Sequence, residues 1–205
     1  RESEESDSRS WYEVSLGDLG KWVTGSTPAS SDPANQGDDV LFVTPGDVGL
    51  GGKLGPVARR ISNLGADKVR RIKPGSVILV CIGTIGKVAW TDLEITTNQQ
   101  INVLEIDQSR HDIRYIHWVL ASPKIQALLW ENSTSVTVSL LNKKRLESLS
   151  VRLPNLETQR VLVELIEANL AKASHVATEI IRQKVGLQTL RRTLLHSAFS
   201  GQLGK

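Results

Sequence analysis

The sequence predicts an α+β fold, a sheet-rich domain followed by one long C-terminal helix, and three observations predict it. Thirteen of the sixteen glycines fall between Gly17 and Gly86, and all seven prolines lie at or before Pro154. Short runs of β-branched and aromatic residues separated by turn residues recur through the first 150 residues. From Glu157 to Phe199 the chain then carries one glycine, Gly186, no proline, and mostly Leu, Ala, Glu, Arg, Lys and Gln, which favour helix. Turn formers and helix formers are segregated, with the boundary at Pro154.

The opening ten residues, Arg1-Glu-Ser-Glu-Glu-Ser-Asp-Ser-Arg-Ser10, are polar and free of apolar side chains, as expected of a linker or a frayed end. A domain is expected over residues 11–154. Its strands should include Val40–Val43, Val77–Ile82, Lys87–Trp90 and Ile101–Ile106, each a short apolar run bounded by turn signals. Ile113, Ile116, Val119 and Leu120 follow helical spacing, and Ser122-Pro123 offers an N-cap and a first-turn proline for a second short helix through Trp130. Thr134-Ser-Val-Thr-Val-Ser139 alternates again and is expected as a strand.

Residues 155–205 are expected as the long helix and a tail. At 1.5 Å per residue the helix spans about 65 Å. Apolar residues recur at sevens through Ile166, Ala173, Ile180, Leu187 and Leu194, and a companion series runs Leu162, Asn169, Val176, Gln183, Leu190. This is a heptad seam. Polar Asn169 and Gln183 within it cost stability and fix register. A globule of about 150 residues is too small to cover about 65 Å of helix, so the seam is expected to meet another helix. Leu162, Ile166, Ala173, Val176, Ile180, Leu187, Leu190 and Leu194 are the expected contacts.

Among 205 residues, 40% are hydrophobic, enough for a sizeable core. The lone Cys81 sits in an apolar run and is expected as a small buried hydrophobe, which excludes a disulfide framework. No apolar stretch approaches the roughly 20 residues of a membrane span and no signal peptide opens the chain, so a soluble intracellular protein is expected. It begins at Arg1 and has no methionine, which reads as a processed chain or a piece of a longer one. Signatures of catalysis fail one by one. In Gly83-Thr-Ile-Gly86-Lys87, Cys81 stands where a phosphate-binding loop needs its first glycine, and Val88 replaces the Ser or Thr that holds magnesium. Gly46-Asp-Val-Gly-Leu-Gly-Gly52 lacks dinucleotide spacing and reads as turns. His111, His117, His175 and His196 are scattered, and no carboxylate pair has the spacing for metal or acid–base work. No cofactor is expected.

Formal charge is +3 and the isoelectric point about 9.1. Residues 11–150 carry 15 Lys and Arg against 14 Asp and Glu, but unevenly. Between Lys53 and Lys73 lie seven cations (Lys53, Arg59, Arg60, Lys68, Arg70, Arg71 and Lys73) and one anion, Asp67. Such a segment can neutralise phosphates, and its arginines can fork onto guanine edges. A second cluster is Asn142-Lys-Lys-Arg145. Lys53, Arg59, Arg60, Arg70, Arg71, Lys143 and Lys144 are the candidate contacts to a nucleic acid, which the resemblance below makes double-stranded DNA.

Trp11-Tyr-Glu-Val-Ser-Leu-Gly-Asp-Leu19, Gly25-Ser-Thr-Pro28, Pro74-Gly-Ser-Val-Ile-Leu79, Gly83-Thr-Ile-Gly-Lys87 and Asn98-Gln-Gln-Ile101 follow one another in the order seen in one family. Leu153-Pro-Asn-Leu-Glu-Thr-Gln-Arg160 and Leu194-Leu-His-Ser-Ala-Phe-Ser-Gly-Gln-Leu203 frame the helix. Taken together, residues 11–203 resemble the recognition half of specificity subunits of Type I restriction-modification systems. Ser76, Asn155 and the surroundings of Gly37 depart from the family pattern. The resemblance implies a target-recognition domain that reads one half of a split site in double-stranded DNA. It also implies a helix that pairs as an antiparallel coiled coil, either with a second copy or with the second half of a full-length subunit. Modification subunits holding S-adenosylmethionine would dock on this scaffold, and ATP-dependent restriction subunits would cut; neither chemistry is implied for this chain. A dimeric DNA-binding regulator unrelated to restriction and a coiled-coil protein adaptor are the alternatives the residues themselves leave open.

Overall fold

The computed structural model describes residues 11–49, 52–134 and 140–200. The opening ten residues, the end of the tail and the strand expected at 134–139, apart from Thr134, lie outside the described residues. Chain order is β1 (Trp11–Ser15), a 3-10 turn (Leu16–Leu19), β2 (Gly20–Thr24), β3 (Gln36–Val43), β4 (Arg60–Ile61), α1 (Asn63–Asp67), β5 (Ser76–Val80) and β6 (Val88–Thr91). It continues with β7 (Ile95–Thr97), β8 (Ile101–Ile106), α2 (Ile113–Ala121), α3 (Pro123–Glu131), α4 (Lys143–Glu147), β9 (Ser150–Pro154) and α5 (Leu156–Phe199). The fold is α+β, as expected. The chain divides into two compact units, Arg1–Arg160 and Val161–Lys205.

The apolar run Val77–Val80 does not alternate because β5 is covered on both faces. It lies between β6 and β8 in an antiparallel sheet of order β2-β8-β5-β6. Ile78 and Val80 point to one side, with Val23, Ala89, Ile101 and Val103 of the same sheet. There they meet Val43 and Ile95 of a second sheet, β4-β3-β7, in which β3 runs parallel to β7 and antiparallel to β4. Helix α2 packs on β5 and β6, with its Ile116 and Leu120 fully buried. A strand buried on two faces reads as a continuous apolar run.

Both expected helices form. Asp112 caps α2, accepting from the amides of Arg114 and Tyr115. At α3 the Ser122 hydroxyl donates to the Val119 carbonyl instead of capping, so the start rests on Pro123, which brings no N–H to satisfy. The first strand of the second sheet begins at Gln36, ahead of the apolar run, because a register shift between Gln36 and Val40 carries its polar residues past Ile61 of β4.

Three five-residue strands, β1, β2 and β9, had no strong sequence signal. β1 pairs antiparallel with β9, from Trp11 opposite Pro154 to Ser15 opposite Ser150. The two ends of the domain therefore lie side by side. Directly after β9, Asn155 accepts from the Thr158 amide to start α5. In the same turn the fully buried Gln159 accepts from the Asp112 amide and donates to the Pro154 carbonyl, both at 2.9 Å. One side chain thus joins the first turn of α5, the cap of α2 and the end of β9.

Gly25 sits where the loop after β2 passes the end of β7: its amide donates to the Ile101 carbonyl, and a Cβ there would overlap the Thr97 hydroxyl and the Asn98 carbonyl. Backbone on one side cannot yield, so Gly25→Ala should cost about 1–3 kcal/mol, as overpacking does, measured by urea unfolding; an unchanged midpoint would contradict this packing. His117 is fully buried, accepts from the Gly52 amide at 2.8 Å and meets the Trp118 ring edge-on. Burial pushes its imidazole down from 6.5 to about 4. Between those values the unfolded chain binds a proton that the folded chain refuses, so stability falls as pH drops through that window. The loss from this group alone should approach about 3 kcal/mol. Unfolding at pH 7 and near pH 4 checks it: His117→Gln, which keeps an acceptor for Gly52, should lose less than the wild type, and equal losses would refute the assignment.

Candidate functional site

The seven cations between Lys53 and Lys73 fall into two sets. Lys53 reaches Asp92 at 2.7 Å and lies 5.5 Å from the centre of the Trp90 ring. Lys68 reaches Asp32 at 2.7 Å, and this hydrogen bond holds the Asp32 carboxyl below the usual range. Arg71 bridges Asp67 at 2.8 Å and Glu94 at 2.6 Å, and these bonds raise its guanidinium pKa further. Exposed pairs of this kind contribute little stability but hold side chains in place. They pin the segment to the loop near Asp32 and to the Asp92–Glu94 turn.

Arg59, Arg60, Arg70 and Lys73 form the second set. All four are exposed, and among the described residues none pairs with a carboxylate. Arg59 and Arg60 border a cleft of about 310 Å³ together with Ser30, Gln36 and Gly37. Lys143 and Lys144 lie on a different element, α4, which packs on β2 and the turn before it. There the Lys143 ammonium donates to the Trp22 carbonyl at 2.7 Å and lies 3.6 Å from Glu147, whereas Lys144 is exposed. Of the seven candidate contacts, Arg59, Arg60, Arg70 and Lys144 thus present charge outward, while Lys53, Arg71 and Lys143 are occupied by partners within the chain. Reasoning from sequence missed this partition because Asp92, Glu94 and the Trp22 carbonyl lie 39, 23 and 121 residues from Lys53, Arg71 and Lys143, the cations they hold.

The motif residues take structural roles. Gly83 and Gly86 have φ of 82° and 92°, the left-handed region that favours glycine. Gln126 donates to the Gly86 carbonyl at 2.9 Å, the Asn98 side chain accepts from the Gln100 amide at 3.1 Å, and Thr27 donates to Gln99 at 2.9 Å. Cys81 is buried, with its thiol pushed up to about 11 by desolvation. Among the described residues no group of three or more His, Cys, Asp or Glu could hold a metal ion, and no helix is long and apolar enough to cross a membrane.

In the second unit the heptad residues are open. Val176, Ile180, Leu187, Leu190 and Leu194 are 50–67% exposed, Ala173 is exposed, and Leu162 and Ile166 are half-buried. Ile180 and Leu187, one heptad apart, line a shallow apolar hollow with Gln183.

Residues 8–181 match the family described as the Type I restriction modification DNA specificity domain. The chain is 27% identical over 172 residues to the HindI specificity subunit of a Type I restriction enzyme from Haemophilus influenzae, a match covering 80% of this chain and 37% of that protein. It is 22% identical over 196 residues to the EcoBI specificity subunit from Escherichia coli, covering 96% and 40%. It therefore spans about two fifths of the length of these curated relatives. Among solved structures, the HsdS subunit from Thermoanaerobacter tengcongensis is similar in fold, with a TM-score of 0.67 at 21% identity over 95% of this chain and 46% of that one. A chain from a type I restriction-modification assembly reaches a TM-score of 0.72 at 20% identity, covering 95% and 47%.

Proposed function

This chain belongs to the family of Type I restriction-modification DNA specificity domains, and from that premise we propose that it reads one half of a split site in double-stranded DNA and scaffolds methyltransferase subunits. The observation that carries the reading is the sorting of its basic segment. Ion pairs fix the segment on the domain, while Arg59, Arg60, Arg70 and Lys73, which pair with no carboxylate among the described residues, stay exposed to meet a polyanion. Contacts to phosphates set position and release counterions; contacts to base edges choose the sequence. We assign no catalytic step and no cofactor to the chain itself: methyl transfer, and cutting where a restriction subunit joins, belong to the partners. A DNA-reading role assigns it to the cytoplasm.

The exposed seam of α5 is the spacer in this reading. Its partner is an equivalent helix, supplied by a second copy or by the other half of a longer subunit, which suits a chain spanning about two fifths of its relatives. Because a paired helix is stiff, its length would set the gap between half-sites and leave the bases read to residues 11–154.

Replacing Arg70 and Lys73 together by Ala should weaken binding to all duplexes alike. It should also shallow the slope of log K against log salt by up to about 2, roughly one unit per lost contact. A slope unchanged in the folded variant would move the phosphate-binding face elsewhere. Leu187→Glu would bury a charge in the seam, at a cost of about 3 kcal/mol or more to pairing. Light scattering should then show the dimeric chain shifting to monomer; a wild type that is monomeric at micromolar concentration would overturn pairing between copies.

A further inference from the structure

One of the four free cations is held unlike the others. The Arg59 guanidinium lies over the Phe42 ring, 4.4 Å from its centre, and the backbone beneath is locked because the Phe42 amide donates to the Arg59 carbonyl at 2.9 Å. Phe42 is itself fixed, 1% exposed in a cluster with Val40, Ile61 and Ala66. A guanidinium on an aromatic face keeps its edge N–H donors pointing sideways and loses little freedom when they bond. Arg60, by contrast, is tethered to the carbonyls of Asp38 and Asp39 at 3.4 and 3.3 Å, and Arg70 is held in neither way among the described residues. Lys73 has no fork to offer.

The surroundings favour a base edge over a phosphate. The cleft beside Arg59 is walled by Ser30, Gln36, Gly37 and Arg60; the Arg60 guanidinium is bonded to the carbonyls of Asp38 and Asp39, and these two exposed acids follow Gly37 along β3. Two carboxylates repel a phosphate. They do not conflict with a base pair, whose major-groove edge presents donors and acceptors together. A stacked arginine with free N–H edges, amid mixed donors and acceptors, fits guanine O6 and N7.

We propose that Arg59, seated over the Phe42 ring at the mouth of this cleft, is a specificity-determining residue that forks onto the major-groove edge of one guanine in the recognised half-site. The inference rests on the DNA-reading role proposed above and adds which base and which residue.

The test is selection from a pool of random-sequence duplexes by the full chain, its Arg59→Ala and Arg59→Lys variants, and Phe42→Leu, which keeps an apolar core residue but removes the aromatic face. The wild type should select a motif with guanine fixed at one position. Both Arg59 variants should lose about tenfold or more discrimination at that position alone, with the other positions kept and the salt slope unchanged, because a forked contact to guanine is what vanishes. Phe42→Leu should relax the same position. A motif unaltered by Arg59→Ala, or a uniform loss of affinity with the slope shallower by about one, would overturn the proposal while leaving the DNA-reading role intact. A wild-type chain that selects no motif and shows no salt-dependent duplex binding would overturn both.

Discussion

The antiparallel pairing of Trp11–Ser15 with Ser150–Pro154 is the constraint on which the domain depends. It brings together residues about 140 apart in sequence, at an entropic cost that rises only slowly with loop length and that burial of the intervening core offsets. The core supplies the reason: β5 is buried on both faces, between the second sheet and α2, so the middle of the chain collapses around it. With the ends joined, the chain enters the domain and leaves it at one place. Gln159 then fixes the start of α5 through two hydrogen bonds made where water cannot compete.

A domain entered and left at one point can vary its outer loops without moving its exit. The basic segment is such a region. It runs from the isolated bridge at Lys53 through β4 and α1 to Ile72, and it holds little regular structure of its own. Carboxylates brought from elsewhere pin it: Asp32 from the loop before β3, Asp92 and Glu94 from the turn between β6 and β7. These pairs offset three of its charges and leave the other four exposed. Near-neutral overall charge and a locally positive surface are therefore compatible, and only the second bears on a polyanionic partner.

Much was legible in the sequence. The runs at Val77 and Ile101, the helical spacing from Ile113, the proline start at Pro123 and the glycine-poor stretch after Glu157 each encode their element locally, through periodicity, turn chemistry and propensity. The order of short motifs was enough for the family. What escaped were elements whose signal lies in a partner: β1 and β9, which pair with each other from the two ends of the domain; β7, three residues paired in parallel with β3; and the polar start of β3.

The candidate site divides in the same way. The sequence by itself determined that cations concentrate between Lys53 and Lys73 and that an apolar heptad series runs along the final helix, because composition and spacing are properties of the chain read in one dimension. Only the tertiary structure decided that Lys53, Arg71 and Lys143 are engaged internally, that Arg59 lies on Phe42, and that Gln159 is buried beside Asp112 and Pro154. The physical reason is range. A hydrogen bond or ion pair acts over a few ångströms, and which groups come that close is set by the packing of segments distant in sequence, which no local pattern records.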